Sequence, residues 1–224
     1  MKHFLIYCAC CFAACAANAG SIHGVIRAKG KVDAPPASGS GSYASRRFKF
    51  VERINYDELR DFVVYIKGPI PDSKAPETPA VIRQKDATFI PHVLPIMVGT
   101  RIEWPNEDEV FHNVFSKSDA KSFDLDLYRK GDPAKVVMFD KPGIVDVFCS
   151  IHSRMSCIVL VLENPCFALA DADNHYVISN IPPGTYQLTA WHERLPDKVI
   201  PITIKCNEDI NLDITMGIQN LPKY

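Results

Sequence analysis

The sequence predicts an all-β protein built as two β-sandwiches. Apolar residues come in short, often alternating runs, and no stretch shows the 3.6-residue period of an amphipathic helix. Pro, Gly, Asn and Asp separate these runs at short intervals, and the 17 prolines suit loops and strand ends rather than helix interiors. A polar break at Glu163-Asn164-Pro165 divides the runs into a larger group and a smaller one.

The elements follow in chain order. Residues 1–19, MKHFLIYCACCFAACAANA, have a basic start at Lys2, an apolar stretch from Phe4 to Ala17 and a small-x-small end at Ala17-Asn18-Ala19. This is the layout of a secretory signal peptide, with cleavage expected after Ala19 and a periplasmic destination. A lipoprotein-type cut before Cys15 is the alternative, and Phe12 stands where that cut prefers Leu. No later segment holds eighteen uninterrupted apolar residues, so the mature chain is expected to be soluble. SIHGVIRA reads as the first strand, and the small polar stretch PPASGSGSYAS (35–45) as a flexible loop. A short helix is expected at Tyr56–Arg60. Strands follow in DFVVYIKG, VLPIMVGTRIEW, KVVMF, GIVDVFCS and CIVLVL, and these complete a first domain of residues 20–163, with 20–79 as its N-terminal extension. HYVIS, TYQLTAW, VIPITI and INLDI then give a second domain, 164–224.

Charge and motif content narrow the function. The chain has 25 basic and 26 acidic side chains and a formal net charge of −1, with no basic stripe, so nucleic acid is not an expected partner. No G-x-S-x-G, H-E-x-x-H or Gly-rich phosphate loop is present, so a hydrolase or nucleotide enzyme is not expected. Four of the eight cysteines (Cys8, Cys10, Cys11, Cys15) fall in the signal segment. Cys149, Cys157, Cys166 and Cys206 remain, in a compartment that permits disulfides. Cys157 reads as a buried, inert thiol. Cys166 and Cys206 flank most of the second domain, as a disulfide or as two thiols.

The stretch FCSIHSRMSC carries the chemistry. It sets a thiol, an imidazole and a thioether three residues apart, at Cys149, His152 and Met155. Alternation in GIVDVFCS turns Val145, Val147 and Cys149 inward and Asp146 outward, so Cys149 ends a strand with its sulfur toward the core. His152 and Met155 then lie in the turn before CIVLVL. A trigonal His₂Cys set with a weak axial Met is a blue-copper ligand set. The second His is His112, in WPNEDEVFHNVF after the strand TRIEW. Zinc is the rival metal, since Cys and His bind it well, but a thioether suits copper and not zinc.

The set Asn106, Asp108, His112, Asn113, Val114, followed by C-x-x-H-x-x-M, resembles the cupredoxins, with the short ligand loop of the amicyanin type rather than that of plastocyanin. FIPHVLPIMVGTRIEW is similar to the run that opens the family's core, and the resemblance covers roughly residues 88–162. It implies a Greek-key β-sandwich holding one copper ion, with His112, Cys149 and His152 as equatorial ligands and Met155 as axial ligand. It further implies Asn113 as a clasp hydrogen-bonding around the Cys149 sulfur. Two features depart from the pattern: the long segment 20–79, and His92, which is either a fifth group at the metal or a rim histidine. By the same resemblance the expected activity is electron carriage rather than catalysis. Electrons would leave through His152, by a patch including Ser153, Arg154, Leu94 and Pro95, to a cytochrome or dehydrogenase. The alternatives are a copper-handling protein and a redox enzyme with an open copper position. The D-A-D-N turn (171–174) and the N-I-P-P-G-T-Y corner (180–186) resemble the carboxypeptidase-regulatory or transthyretin-like module, another small sandwich. Asp171 and Asp173 read as an Asx-turn rather than a calcium site, and His192 and Glu193 as a solvated strand end.

Overall fold

In a computed structural model, which describes residues 19–30 and 55–217, the chain is almost entirely β-strand. Residues 1–18 of the expected signal segment, and the stretch 35–45 expected to be a loop, lie outside the described residues. The strands are β1 (Gly20–Lys29), β2 (Val63–Ile66), β3 (Ala80–Val81), β4 (Arg83–Lys85), β5 (Thr88–Ile90) and β6 (Val93–Met97). Next come β7 (Arg101–Trp104), β8 (His112–Lys117), β9 (Ser122–Tyr128), β10 (Lys135–Met138), β11 (Gly143–Phe148) and β12 (Ser156–Leu162). The last six are β13 (Phe167–Leu169), β14 (His175–Ile181), β15 (Gly184–His192), β16 (Leu195–Ile204), β17 (Asp209–Asn211) and β18 (Ile214–Gly217). The helix expected at Tyr56–Arg60 is a single 3₁₀ turn, Tyr56–Glu58, capped by Asn55. No helix among the described residues is long and apolar enough to cross a membrane.

One sandwich uses residues 80–162. A five-stranded sheet in the order β6-β12-β11-β8-β9 faces a sheet in the order β10-β7-β3, with the hairpin β4-β5 at one end. Ile102 and Trp104 of β7 meet Val114, Val145, Val147, Val159 and Val161 in its core. The other sandwich packs β14-β1-β17, with β18 also on β1, over β13-β2-β15-β16. Ile22, Ile26, Tyr176 and Ile178 face Val64, Ile66, Leu188 and Ala190 across that core.

Here the pairing departs from the expected domain division. β1 and β2 do not extend the first sandwich: β1 pairs β14, β17 and β18, and β2 pairs β13 and β15. Alternation in SIHGVIRA marks a half-buried strand but leaves its partner open, and the partner lies about 150 residues away, as in Val25↔His175. The sandwich of residues 80–162 is therefore an insertion between β2 and its antiparallel neighbour β13. Asn164 closes the crossing. Its buried amide donates to the carbonyls of Ile66 (2.7 Å) and Gly68 (2.5 Å), and its Oδ1 accepts from Cys166 N–H (2.7 Å).

The two sandwiches share a third apolar cluster of Val63, Val93, Leu160, Leu162 and Trp191. This explains the unbroken run CIVLVL. Cys157, Val159 and Val161 point into the first core, while Ile158, Leu160 and Leu162 point at the second sandwich. A strand covered on both faces has no polar side to alternate with.

Candidate metal centre

Four chain segments meet at one end of the first sandwich. β8 begins with His112, which is fully buried. Its placement begins with Asn106, whose side-chain amide donates to the carbonyls of Val110 (3.1 Å) and Tyr128 (2.9 Å), and whose Oδ1 accepts from Asp108 N–H (2.8 Å). This Asx-type turn aims the Asp108 carboxylate at three donors. They are Asp86 N–H (2.8 Å) and Ala87 N–H (3.0 Å) in the β4–β5 turn, and His112 Nε2 (2.7 Å). Asp86 and Ala87 both have positive φ, 54° and 52°, as a type I′ hairpin turn requires, which presents both amides outward. Burial disfavours the Asp108 charge, but the bonds from Ala87, His112 and Asp86 outweigh it and hold the carboxyl below its ordinary value.

A carboxylate accepts only, so His112 carries its proton on Nε2 and presents the Nδ1 lone pair to the interior. That lone pair faces His152 Nδ1 at 3.0 Å, and His152 Nδ1 lies 3.6 Å from Cys149 Sγ. The ligand atoms of His112, Cys149 and His152 all fall within 4.8 Å of one another, the one such group among the described residues. The 108–112 loop and the ligand turn thus point three soft or borderline donors at one spot. Bonds of about 2.0 Å to nitrogen and 2.3 Å to sulfur span these separations. A cation held there would take the Nδ1 lone pairs of both rings.

The turn after β11 is closed by the main chain. Cys149 N–H donates to Met155 O (3.1 Å) and Met155 N–H to His152 O (3.0 Å). Met155 is 1% exposed and shares the core cluster of Cys149. His152 is half-buried, while its neighbours Ile151, Ser153 and Arg154 are exposed. Phe111, immediately before His112, is also exposed, with the Arg129 guanidinium 5.6 Å over its ring. Leu94 and Pro95 lie inside β6, paired with Val159 and Leu160 of β12; Pro95 is buried and Leu94 half-buried.

Other expected residues are placed elsewhere. His92 is outside the His112–Cys149–His152 group: its ring nitrogens lie 3.2 Å from the Ser156 carbonyl oxygen and 3.2 Å from Glu193 Oε2. Asn113 does not clasp the Cys149 sulfur. Its Nδ2 donates to Asp124 Oδ1 (2.7 Å), which also takes Asp126 N–H (3.0 Å), because a register shift between β8 and β9 at Asn113/Phe115 brings that carboxylate under it. Cys166 and Cys206 form no disulfide. Cys166 is buried with its thiol toward the Asn180 carbonyl, whereas Cys206 lies at the surface in the turn after β16. Burial raises the Cys166 and Cys157 thiols above their ordinary value, which keeps both protonated and unreactive. His192 is no solvated strand end: it is 4% exposed and stacks on Phe62 at 4.8 Å between centroids.

Sequence reasoning assigned no role to Asp108 or to the polar floor of the site. Beneath His112, Tyr128 donates to Trp104 O (2.7 Å), and Gln84 Nε2 donates to Tyr128 Oη (2.5 Å) and Trp104 O (3.2 Å). Burial pushes the Tyr128 hydroxyl far up, so it stays a neutral donor. The N-x-D spacing four residues before His112 was the available signal for Asp108; the partners of Gln84 and Tyr128 are too far away in sequence to leave one.

No protein-family model and no curated protein matches the chain. Among solved structures it is similar over part of its length to a Cu-containing nitrite reductase from Thermus scotoductus, at 29% identity over 43% of this chain and TM-score 0.37. That match covers 25% of the nitrite reductase, so the likeness takes in a quarter of that protein. A purple cupredoxin from Nitrosopumilus maritimus matches at 29% identity over 37% of this chain and 98% of its own, TM-score 0.33. A reduced amicyanin variant matches at 19% identity over 44% and 97%, TM-score 0.35. What the centre can do follows from its own donors: two imidazoles and a buried thiol converge, with a buried thioether in the same turn.

Proposed function

We propose that this protein is an exported copper protein that carries single electrons between redox partners. One observation bears most of the weight: His112 Nδ1, Cys149 Sγ and His152 Nδ1 converge within 4.8 Å, with Met155 buried in the same turn. A copper ion held there would supply a one-electron couple, with a covalent thiolate bond and a weak thioether bond. The chain's own residues do the rest. Asp108 fixes the His112 tautomer, the Cys149–Met155 main-chain bonds fix the turn, and the valine-lined core excludes water from the sulfur. A frame this constrained keeps its ligand positions through a change of charge, which suits electron transfer. His152, half-buried beside Ile151, Ser153 and Arg154, would be the exit toward a cytochrome or dehydrogenase that docks transiently.

A rival reading is a protein that holds copper for delivery, and the second sandwich favours it, since a small carrier needs no such addition. The test starts with Cu(II) added to the chain from Gly20 onward, wild type and Cys149→Ser, read by visible spectrum and EPR. An intense thiolate-to-copper band, absent in Cys149→Ser, supports the centre; zinc binding or no metal binding sinks it. Fast self-exchange at a reversible potential then supports the carrier. Very tight Cu(I) binding with transfer to an acceptor supports delivery, and binding of an external ligand to Cu(II) supports an enzyme.

A further inference from the structure

His92 stands between the two sandwiches. Its Nδ1 lies 3.2 Å from the main-chain oxygen of Ser156, the residue after Met155, and its Nε2 lies 3.2 Å from Glu193 Oε2 in the turn between β15 and β16. Its own carbonyl accepts from Ile158 N–H at 2.8 Å, so His92 grips β12 on both sides of Cys157. The arm that carries Glu193 is itself held. His192 Nδ1 accepts from Arg194 N–H (3.0 Å), the His192 ring stacks on Phe62, and Trp191 is buried in the cluster shared by the sandwiches. On the other side there is little slack between Ser156 and the ligands, because Met155 bonds through its main chain to both Cys149 and His152.

We infer that Glu193 is a positioning residue for the metal centre: acting through His92, it holds the Ser156 carbonyl and so ties the second sandwich to the main chain leaving Met155. The consequence for the centre rests on the reading of Met155 as its weak ligand; the clasp itself does not. A carbonyl and a carboxylate both accept, so both bonds form together only when both ring nitrogens carry protons. When the ring is neutral, its single N–H is shared between Ser156 and Glu193, and the clasp loosens. His92 faces Glu193 through Nε2 and the Ser156 carbonyl through Nδ1, and His192, next to Glu193 in the chain, is itself acted on by Glu193, Asp61 and Arg194. Glu193→Gln is nearly isosteric and reverses the logic. Its amide can donate to Nε2 while Nδ1–H donates to Ser156, which completes the clasp on a neutral ring.

The test needs no metal. In the metal-free mature chain, the Cys157 amide nitrogen shares a peptide unit with the Ser156 carbonyl and reports its hydrogen bond. In a pH series from about 5 to 8, its ¹⁵N shift is expected to change together with the His92 ring signals in wild type. It is expected to stay flat in His92→Phe and in Glu193→Gln, with equal urea midpoints for wild type and Glu193→Gln. A Cys157 shift that ignores His92, or that titrates identically in Glu193→Gln, overturns the clasp. The copper-loaded protein supplies the second readout: the potential should vary with pH over that range in wild type and less in Glu193→Gln, and identical profiles overturn the coupling to the centre. A wild type without the thiolate-to-copper band defeats the copper reading, while the metal-free titration still decides the clasp.

Discussion

Asp108→Ala should weaken the centre far more than its position in a surface loop suggests. The carboxylate accepts from Asp86 N–H, Ala87 N–H and His112 Nε2. The two amides sit in an exposed hairpin turn, where water replaces the lost acceptor at little cost. His112 is fully buried, so its Nε2–H loses the one acceptor the structure gives it. Leaving a buried donor unpaired costs roughly 1–3 kcal/mol. The ring can also take the other tautomer, with the proton on Nδ1, which removes the lone pair a metal needs. Loss of such an orienting carboxylate lowers metal affinity by about 10–100-fold. The assay is competition for Cu(I) against a chelator of known affinity, with urea unfolding of the metal-free protein alongside. Asp108→Asn, whose carboxamide oxygen can still accept from His112, should fall between wild type and alanine. The pH dependence has a definite sign. The fold holds the Asp108 carboxyl below its ordinary value, so its contribution is complete above the unfolded value of about 3.9 and is lost as pH falls through the folded value. The stability gap between wild type and Asp108→Asn should accordingly close in acid. Unchanged copper affinity in Asp108→Ala would refute the tautomer argument.

Three further outcomes test the architecture. Trp191→Ala empties the cluster between the sandwiches and should cost about 3–5 kcal/mol, seen as a lower urea midpoint; a loss under about 1 kcal/mol would mean the interface collapses around the gap. Asn164→Ala removes the bonds to Ile66, Gly68 and Cys166 in a buried crossing and should cost roughly 2–4 kcal/mol, since two carbonyls and one amide lose their partner. Cutting the chain after Glu163 leaves β1 and β2 without β13–β18 and exposes Val93, Leu160 and Leu162. That fragment should self-associate or be digested quickly in limited proteolysis, and a monodisperse, protease-resistant product would refute the assignment of β1 and β2 to the second sandwich.

The part of the centre legible in the sequence was the part with local constraints. Cys149, His152 and Met155 lie in one turn, and alternation in GIVDVFCS already turns Cys149 inward. His112 could be reached because it follows a strand and a polar turn. What could not be read was decided by pairing between distant segments. Asn113 is buried and polar, which fits a clasp on sulfur as well as a bond to Asp124; the register shift between β8 and β9 chose the second. Leu94 and Pro95 could not be told apart in sequence, yet Pro95 is buried while Leu94 stays half-buried on the end strand of its sheet. His192 followed a Trp near a strand end and looked solvated, yet Phe62, more than a hundred residues earlier, covers its ring. The overall class, all-β, was plain because period-2 patterning and turn residues are local properties.

The insertion of one sandwich between β2 and β13 changes what the second sandwich means for the centre. Joined end to end, two domains would meet through one linker and a polar interface, free to move. Here the centre-bearing sandwich leaves and re-enters its host between adjacent strands, pinned at both crossings by Asn164. It also rests on the host through the outward face of β12, the strand that begins directly after Met155. A displacement of the host therefore reaches the ligand turn through a rigid strand and through His92, not through a flexible linker. This geometry couples the second sandwich to the strand that follows Met155.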